Sequence, residues 1–367
     1  MYFPTNYKSI LQRINAVDPQ QYAKTRNFID GAITGLSPYI SRGVISLRQV
    51  RSAVLANGYK AYQLEKFLQE LTWREYWQRV WWQLGDDIFT GIKKEQENVA
   101  HRRMIANIAS AATGIEAIDT QIQALYNTGY MHNHARMYVA AIACNLGQAH
   151  WLQPSRWMYY HLLDGDIASN SLSWQWVAGS FSSKKYIATQ ENVNKYLHSK
   201  QQGTFLDKPY ETIFDQPIPE ALRQTVVPEL HTTLPLNDAS FSIDPAKPLL
   251  LYNSYNLDPG WRKEEDANRL LLLEPAHFNR FPVSEKVLAF IIQLAKNNIP
   301  GIQVFTGGVN ELPGLHKLPG IFSIEHPCSR HYPGTKDPYP WLFPAVSGYF
   351  PSFFSFWKKA QKYLSAE

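Results

Sequence analysis

Cysteine is scarce in this chain of 367 residues, which contains only Cys144 and Cys328. Two thiols cannot form an all-cysteine four-ligand zinc or iron–sulfur site, and they offer no disulfide framework. The sequence therefore predicts a cytoplasmic protein. No apolar run approaches the roughly 20 residues of a membrane helix, and the opening MYFPTNYKSI lacks the pattern of a signal peptide. No segment matches a Walker loop or the GxGxxG fingerprint.

Charge is modest and aromatic residues are abundant. Charged residues make up 18% of the chain with a formal net charge of +5, which is compatible with a polyanionic partner without requiring one. Aromatic residues make up 14%, including 11 Trp and 21 Tyr. These rings either fill a core or form stacking surfaces for planar ligands, and composition leaves both interpretations open.

The hydrophobic pattern divides the chain into three stretches. Residues 1–204 have helical spacing, 205–246 are rich in proline and predict a linker, and 247–367 alternate strand and helix patterns. The predicted elements are helices over 64–82, 114–129, 132–151 and 283–298, strands over 248–255, 269–275 and 302–308, and a closing helix. We therefore expect a mainly α protein, in which a helical domain is followed by a small α/β, Rossmann-like domain with a parallel sheet.

Two segments combine polar and stacking side chains at helical spacing. In ELTWRE, Glu70 and Trp73 are three apart and share a helix face, so the indole could stack on a heterocycle while the acid binds its edge. In MHNHARM, Asn133, Arg136 and Met137 share a face that would suit a flavin or base pocket. Packing at a helix surface also explains each pattern when it is taken alone.

The stretch LLDGDIASNSLSWQW, residues 162–176, concentrates acids beside indoles. Asp164 and Asp166 cannot both be buried without donors, so Arg136 is a natural partner for one of them. If the segment is helical, Trp174 and Trp176 point about 200° apart, because each residue advances about 100°. One ring could then face a buried cofactor while the other lines an outer cavity.

Two further segments suggest a phosphate or metal site only weakly. Thr34 and Ser37 precede a predicted helix start in ITGLSPYISRG, where hydroxyls and free amides can hold phosphate, although simple capping explains them equally. His326, Cys328 and His331 resemble a metal-ligand set but lack a fourth ligand. We therefore predict no metal site.

Four motifs occurring in order resemble the FAD-binding helical domain of the DNA photolyase/cryptochrome family. They are TGLSPYISRG, ELTWREYW, TGIEAIDTQIQALYNTGYMHNHARM and LLDGDIASNSLSWQW. The resemblance covers roughly residues 20–180, about half of the chain. It implies an FAD cofactor and a role for each matching residue.

The roles implied by this resemblance fall into three groups. FAD would be bound by Tyr22, Thr34, Leu36, Ser37, Arg74, Asn133, Arg136, Asp164, Asp166 and Asn170. The cavity for a flipped-out pyrimidine dimer would be lined by Glu70, Trp73, Asn133, Met137 and Trp176. The implied catalytic residues are Glu70, Asn170 beside the flavin N5, and the electron-transfer tryptophans Trp174 and Trp151.

The resemblance implies light-driven repair of cyclobutane pyrimidine dimers by an electron from photoexcited reduced FAD. A crosslinked dimer stacks poorly, so flipping it out of a duplex costs little free energy. The flipped dimer could then stack on the rings of Trp73 and Trp176. Glu70, if protonated in an apolar pocket, could donate to a base carbonyl. Asn133 and Met137 stand where the (6-4) enzymes of the family carry two histidines, which indicates the cyclobutane-dimer type.

Several positions depart from the family pattern. Ile108 stands where the outermost tryptophan of the usual electron chain is expected. His134 and Gln123 replace basic residues expected in the DNA cleft, which lowers the charge available to phosphates. Lys184 and Lys185 could restore part of it.

The order of domains also departs from the family, whose members place an α/β antenna domain before the helical one. Here the α/β stretch follows, so we expect a permuted or reduced antenna domain, with no antenna chromophore specified by the sequence. The expected partner is ultraviolet-damaged DNA, including single strands, and we expect a monomer without membrane contact. A cryptochrome-like photoreceptor without repair activity and a non-photochemical nucleic-acid-binding module remain alternatives.

Overall fold

The computed structural model describes residues 1–364. Within them the helices are α1 (Tyr7–Asn15), α2 (Pro19–Thr25), α3 (Ser37–Ser41), α4 (Leu47–Ala56), α5 (Ala61–Leu84), α6 (Ala106–Ala109), α7 (Glu116–Thr128), α8 (Asn133–Ala141), α9 (Leu152–His161), α10 (Ile167–Ala178), α11 (Gln190–Leu197), α12 (Pro275–Arg280), α13 (Glu285–Asn298) and α14 (Phe353–Ala360). The strands are β1 (Met104–Ile105), β2 (Thr225–Val226), β3 (Leu249–Tyr252), β4 (Asn268–Leu273), β5 (Gln303–Thr306), β6 (Ile321–Ile324) and β7 (Thr335–Asp337). Among these helices, none combines the length and the apolar character needed to cross a bilayer.

Backbone contacts divide the chain into two compact units that alternate along the sequence. The first unit contains residues 20–33 and 83–230, and the second contains residues 2–19, 34–82 and 231–364. This grouping differs from the consecutive domains expected at 1–204, 205–246 and 247–367, because residues 34–82 group with the α/β stretch. The boundaries of the functional domains remain a prediction.

The first unit is a helical bundle with a core of isoleucine, alanine and tryptophan side chains. In α7, Ile118, Ile122 and Leu125 follow helical spacing and are buried, and the helix ends at Gly129, whose φ of 72° suits a left-handed cap. A π-helical turn over Ile142–Leu146 continues α8. The short β1 and β2 strands pair antiparallel, and the sequence pattern did not predict this pairing.

The second unit contains a five-stranded sheet in the order β5–β4–β3–β6–β7, and every neighbouring pair is parallel. Leu251 of β3 lies opposite Leu270 of β4, and Leu272 lies opposite Phe305 of β5. These side chains share one face and belong to one core cluster, as the two-residue period of a strand requires. The expected parallel sheet is confirmed.

Most of the predicted elements of the second unit are present with shorter bounds. The helix predicted over 283–298 is α13, and Ser284 caps it by accepting a hydrogen bond from Val287 N at 3.4 Å. The sequence did not predict β6 and β7, because each has only three or four residues and stands among prolines and glycines.

Within the second unit, α5 is tied to the C-terminal stretch by a buried carboxylate. Glu75 forms a salt bridge with Arg79 at 3.0 Å and also accepts hydrogen bonds from Leu342 N and Phe343 N. Arg79 in turn donates to Phe343 O at 2.8 Å and lies over the Trp341 ring at 4.2 Å. The pair therefore joins segments far apart in the chain, as the 267-residue separation between Glu75 and Leu342 shows.

We expect Glu75→Ala to destabilise the second unit strongly, because it leaves Arg79 and two backbone amides buried without their acceptor. Removing one partner of a buried ion pair costs about 3–5 kcal/mol. Urea denaturation followed by tryptophan fluorescence measures the effect. Glu97→Ala is the matched control, since the exposed Glu97–Lys94 pair should leave the midpoint unchanged. An equal effect of the two substitutions would contradict the role assigned to Glu75.

Candidate functional site

The residues predicted to form the site belong to both units, and each group is described within its own unit. The first unit carries Tyr22, Asn133, Arg136, Met137, Trp151, Asp164, Asp166, Asn170, Trp174 and Trp176. The second unit carries Thr34, Leu36, Ser37, Glu70, Trp73 and Arg74.

Arg136 and Asp164 form an ion pair in the first unit. Arg136 Nη2 lies 3.0 Å from both carboxylate oxygens of Asp164, and Arg136 Nε donates to Met131 O at 2.8 Å. The Asp164 side chain is only 4% exposed and that of Arg136 is 18% exposed. The pair is therefore largely screened from water, and its charges are strongly coupled. Its contact with a flavin stays a prediction.

Asp166, the second acid of the LLDGD segment, caps α10. Its carboxylate accepts a hydrogen bond from Ser169 N at 2.6 Å, and the residue is buried. An acid at a helix N-terminus satisfies free amides and complements the helix dipole. The two aspartates therefore have different structural partners, and the sequence had not indicated that one of them is a cap.

Helix α10 carries Asn170 and both tryptophans of the segment, as expected. The Asn170 side chain is half-buried and donates to Ser155 O at 2.9 Å. Trp174 is buried, whereas Trp176 is half-buried and its ring centroid lies 5.9 Å from that of Tyr186. The helix thus directs one indole into the core and leaves the other partly accessible.

Trp151 is fully buried at the start of α9, and its backbone N donates to Gln96 Oε1 at 2.8 Å. Its indole Nε1 has no hydrogen-bond partner among residues 1–364. Ile108, at the position of the expected outer tryptophan, is fully buried in the same core cluster. At this position an aliphatic side chain therefore packs where the family pattern predicts an indole ring.

The residues expected at the FAD phosphates begin the short helix α3 of the second unit. Thr34 Oγ1 accepts a hydrogen bond from Leu36 N at 3.2 Å, and Gly35 between them has a φ of 62° that favours glycine. Leu36 is buried and Ser37 is half-buried. A local turn before the helix explains this hydrogen bond, and phosphate binding stays a prediction. Tyr22 lies in α2 of the first unit and is half-buried.

The α5 residues Glu70, Trp73 and Arg74 have partners in the second unit that the sequence did not indicate. Glu70 forms an ion pair with Lys66 at 2.9 Å, which differs from the apolar pocket expected around a protonated acid. Trp73 stacks on Phe353, with ring centroids 3.6 Å apart and an interplanar angle of 7°. Arg74 Nη1 donates to Ser41 Oγ at 2.7 Å.

A cleft at the carboxyl ends of β3 and β4 in the second unit was not predicted, although ligands of open parallel sheets bind at this edge. Glu274, directly after β4, pairs with His331 Nε2 at 2.9 Å. Burial lowers the pKa of His277 to about 4 and that of His326 to about 3. Within residues 1–364 no cluster of three metal-type ligands occurs. The cleft is lined by Asn253, Ser254, Tyr255, Leu272, Glu274, His277, Phe278, Cys328 and Tyr332.

Comparison with known families covers three of the four motifs. Residues 67–213 match the family described as the FAD binding domain of DNA photolyase. This part of the chain is thus similar to the FAD-binding domain of the DNA photolyase/cryptochrome family. Its cofactor is accordingly FAD.

Proteins similar to this chain are named as photo-lyases and as cryptochromes. It is 32% identical over 194 residues to the deoxyribodipyrimidine photo-lyase of Alkalihalophilus pseudofirmus, covering 50% of this chain and 40% of that protein. It is 26% identical over 234 residues to the cryptochrome DASH of Danio rerio, covering 60% and 42%. A solved cryptochrome from Synechocystis sp. aligns over 53% of this chain and 44% of its own, at 22% identity and a TM-score of 0.47. The chain thus spans less than half the length of these relatives.

The first unit contains groups that suit FAD. The Arg136–Asp164 pair supplies fixed charges, and Asn170 supplies a half-buried amide. The hydroxyl of Ser169 is buried without a hydrogen-bond partner among residues 1–364, and a polar ligand would satisfy it. The residues present therefore fit the cofactor, and the atoms that touch it stay a prediction.

We expect Asp164→Ala and Asp166→Ala to lower the free energy of unfolding by different amounts, because Asp164 is an ion-pair partner and Asp166 is a helix cap. Losing the Asp164 carboxylate should lower the free energy of unfolding by about 3 kcal/mol, since Arg136 is left largely buried and unpaired. Losing the Asp166 cap should cost about 1 kcal/mol. Chemical denaturation of both variants checks the order, and a larger loss for Asp166→Ala would contradict it.

Proposed function

We propose that this chain repairs cyclobutane pyrimidine dimers in DNA by light-driven, FAD-dependent electron transfer. The observation that carries the proposal is the Arg136–Asp164 ion pair next to the start of α10, the helix that bears Asn170, Trp174 and Trp176. Relatives named deoxyribodipyrimidine photo-lyase support the same activity.

Each residue of this set has a proposed role that its contacts support. Arg136 and Asp164 hold fixed charges against the flavin ring, and Asn170 presents its amide to the flavin N5. Trp176, half-buried on α10, stacks on the damaged bases. Bound, reduced FAD supplies on excitation the electron that splits the dimer, and the protein supplies position and electrostatics.

The residues at the start of α8 support the cyclobutane-dimer specificity. Asn133 is exposed at the first position of the helix, and Met137 follows one turn later and is half-buried. An amide and a thioether offer contact surface without a proton to transfer. We therefore propose that these side chains line the lesion pocket and perform no acid–base step.

A basic cluster of the first unit supports DNA as the partner. Backbone N atoms of Lys93 and Lys94 both donate to Ser180 O, at 3.2 and 3.3 Å, which brings that loop to the segment containing Lys184 and Lys185. Four lysines in two adjoining loops provide cationic charge for phosphates, in place of the charge lost at His134 and Gln123.

A cryptochrome-like photoreceptor is the second candidate, and the contacts of α5 favour it. Phe353 covers one face of the Trp73 ring, and Lys66 pairs with Glu70. Both side chains expected to receive a pyrimidine dimer thus already have partners within the protein. A flavoprotein that responds to light without repairing DNA would not need Trp73 and Glu70 to bind a substrate.

For residues 247–367 we propose a permuted or reduced antenna domain of Rossmann-like type, which the parallel sheet of this stretch supports. We also propose, from the low cysteine content, that the protein acts in the cytoplasm. We propose that it is a monomer.

Purified full-length protein should bind FAD, and Arg136→Ala should weaken binding about 10-fold, as loss of a charged hydrogen-bonding group of about 1.4 kcal/mol implies. Arg156→Ala, on the exposed face of α9, is the matched control. Fluorescence titration with FAD measures both affinities. Equal affinity of the two variants would remove Arg136 from the proposed site.

Illuminated, FAD-reduced protein should restore ultraviolet-damaged oligothymidine. Glu70→Ala should slow repair about 10-fold or more, because Glu70, once released from Lys66 and protonated, donates to the reduced base. Glu65→Ala is the matched control, because Glu65 is exposed on the same helix. Chromatography of single- and double-stranded substrates before and after illumination measures the rates.

Loss of repair in Glu70→Ala with normal repair in Glu65→Ala would support the enzyme. FAD-loaded protein that repairs neither strand form, yet changes its flavin absorbance in light, would support the photoreceptor instead.

A further inference from the structure

A hydrogen bond between Tyr186 and His134 in the first unit has no role in the proposed repair site. Tyr186 Oη lies 3.0 Å from His134 Nε2. The Tyr186 backbone N donates to Val177 O at 3.0 Å, which fixes the phenol-bearing segment against the end of α10. A phenol is thus held at a defined distance from an imidazole.

The other ring nitrogen of His134 determines the direction of this hydrogen bond. His134 Nδ1 lies 3.0 Å from the backbone oxygen of Asn27, and a carbonyl oxygen can only accept. Nδ1 therefore carries the proton, and in the neutral ring Nε2 is left with a lone pair. Burial, together with nearby Arg26, lowers the pKa of His134, so the neutral ring is favoured. Tyr186 accordingly donates its hydroxyl proton toward Nε2.

Neighbouring rings hold this pair in place and limit its access to water. The His134 ring stacks on Tyr138, with centroids 4.5 Å apart and an interplanar angle of 26°, and lies 4.6 Å from the Tyr196 ring. Burial raises the pKa of Tyr186 to about 12, so the phenol keeps its proton at neutral pH. A buried phenol loses an electron readily only if a base takes its proton in the same event.

An electron acceptor for Tyr186 lies beside it. The Trp176 ring centroid is 5.9 Å from that of Tyr186, with an interplanar angle of 42°. Rings this close exchange electrons without an intervening group. The order Trp176, Tyr186, His134 therefore places an oxidisable indole, a phenol and a proton acceptor in sequence.

We propose that Tyr186 and His134 form a proton-coupled redox pair that returns an electron to oxidised Trp176. The Trp176 radical cation gains one electron and becomes the neutral indole. Tyr186 loses that electron and becomes a neutral tyrosyl radical, as its O–H bond breaks and an N–H bond forms at His134 Nε2. His134 becomes an imidazolium. Bound, photoexcited FAD would supply the oxidant that first takes an electron from Trp176, and for this oxidant the inference rests on the proposed function.

An external oxidant tests the pair without depending on FAD or on repair. Full-length protein is oxidised in flashes by a photogenerated ruthenium(III) polypyridyl complex, and the radicals are identified by electron paramagnetic resonance. We expect a tyrosyl signal that contains a Tyr186 component, identified by its hyperfine pattern, in the unmodified chain. We expect that component to be lost in Tyr186→Phe and in Trp176→Phe. His134→Gln should lower its yield about 10-fold or more, because an amide cannot take the proton.

Tyr196→Phe is the matched control, since its ring also contacts His134 and should leave the tyrosyl signal unchanged. A tyrosyl signal that Tyr186→Phe leaves unchanged, or that Tyr196→Phe lowers equally, would overturn the assignment. Illumination of FAD-loaded protein without external reductant should give the same radical. A chain that binds no FAD but still forms the Tyr186 radical with ruthenium would refute the proposed function and leave the redox pair standing.

Discussion

The ion pair between Arg136 and Asp164 is the constraint on which the proposed site depends. It links α8 to the turn that precedes α10, and two residues later Asp166 caps that helix. Once the start of α10 is fixed, helical spacing determines where Asn170 and the two tryptophans project. A largely buried pair of charges is costly to form and costly to break, so it specifies one arrangement of these two helices rather than several.

The sequence was most informative where the pattern is local. Helical periodicity located α5, α7 and α8, and the partnership of Arg136 with a nearby acid followed from the cost of burying Asp164 without a donor. The prediction of FAD rested on four motifs that occur in the order typical of the family, and the family comparison agrees with this prediction. The helices needed only local periodicity and the ion pair only elementary electrostatics, whereas the cofactor rested on the family resemblance.

Contacts between distant segments could not be derived in this way. Nothing near Trp73 in sequence indicates that Phe353 stacks on it, and nothing near Glu75 indicates that residues 342 and 343 donate to it. The tautomer of His134 likewise depends on a carbonyl more than 100 residues away. Short strands such as β7 gain their hydrogen bonds from partners elsewhere in the sheet, so their own residues carry little signal.

The alternation of the two units along the chain has a consequence for biosynthesis. During translation, residues 34–82 leave the ribosome well before residues 231–364, with which they share a unit. The aromatic residues of α5 are therefore synthesised long before the residues that cover them, such as Phe353. Until those residues emerge, this apolar surface is exposed on the nascent chain, where transiently exposed hydrophobic surface favours aggregation.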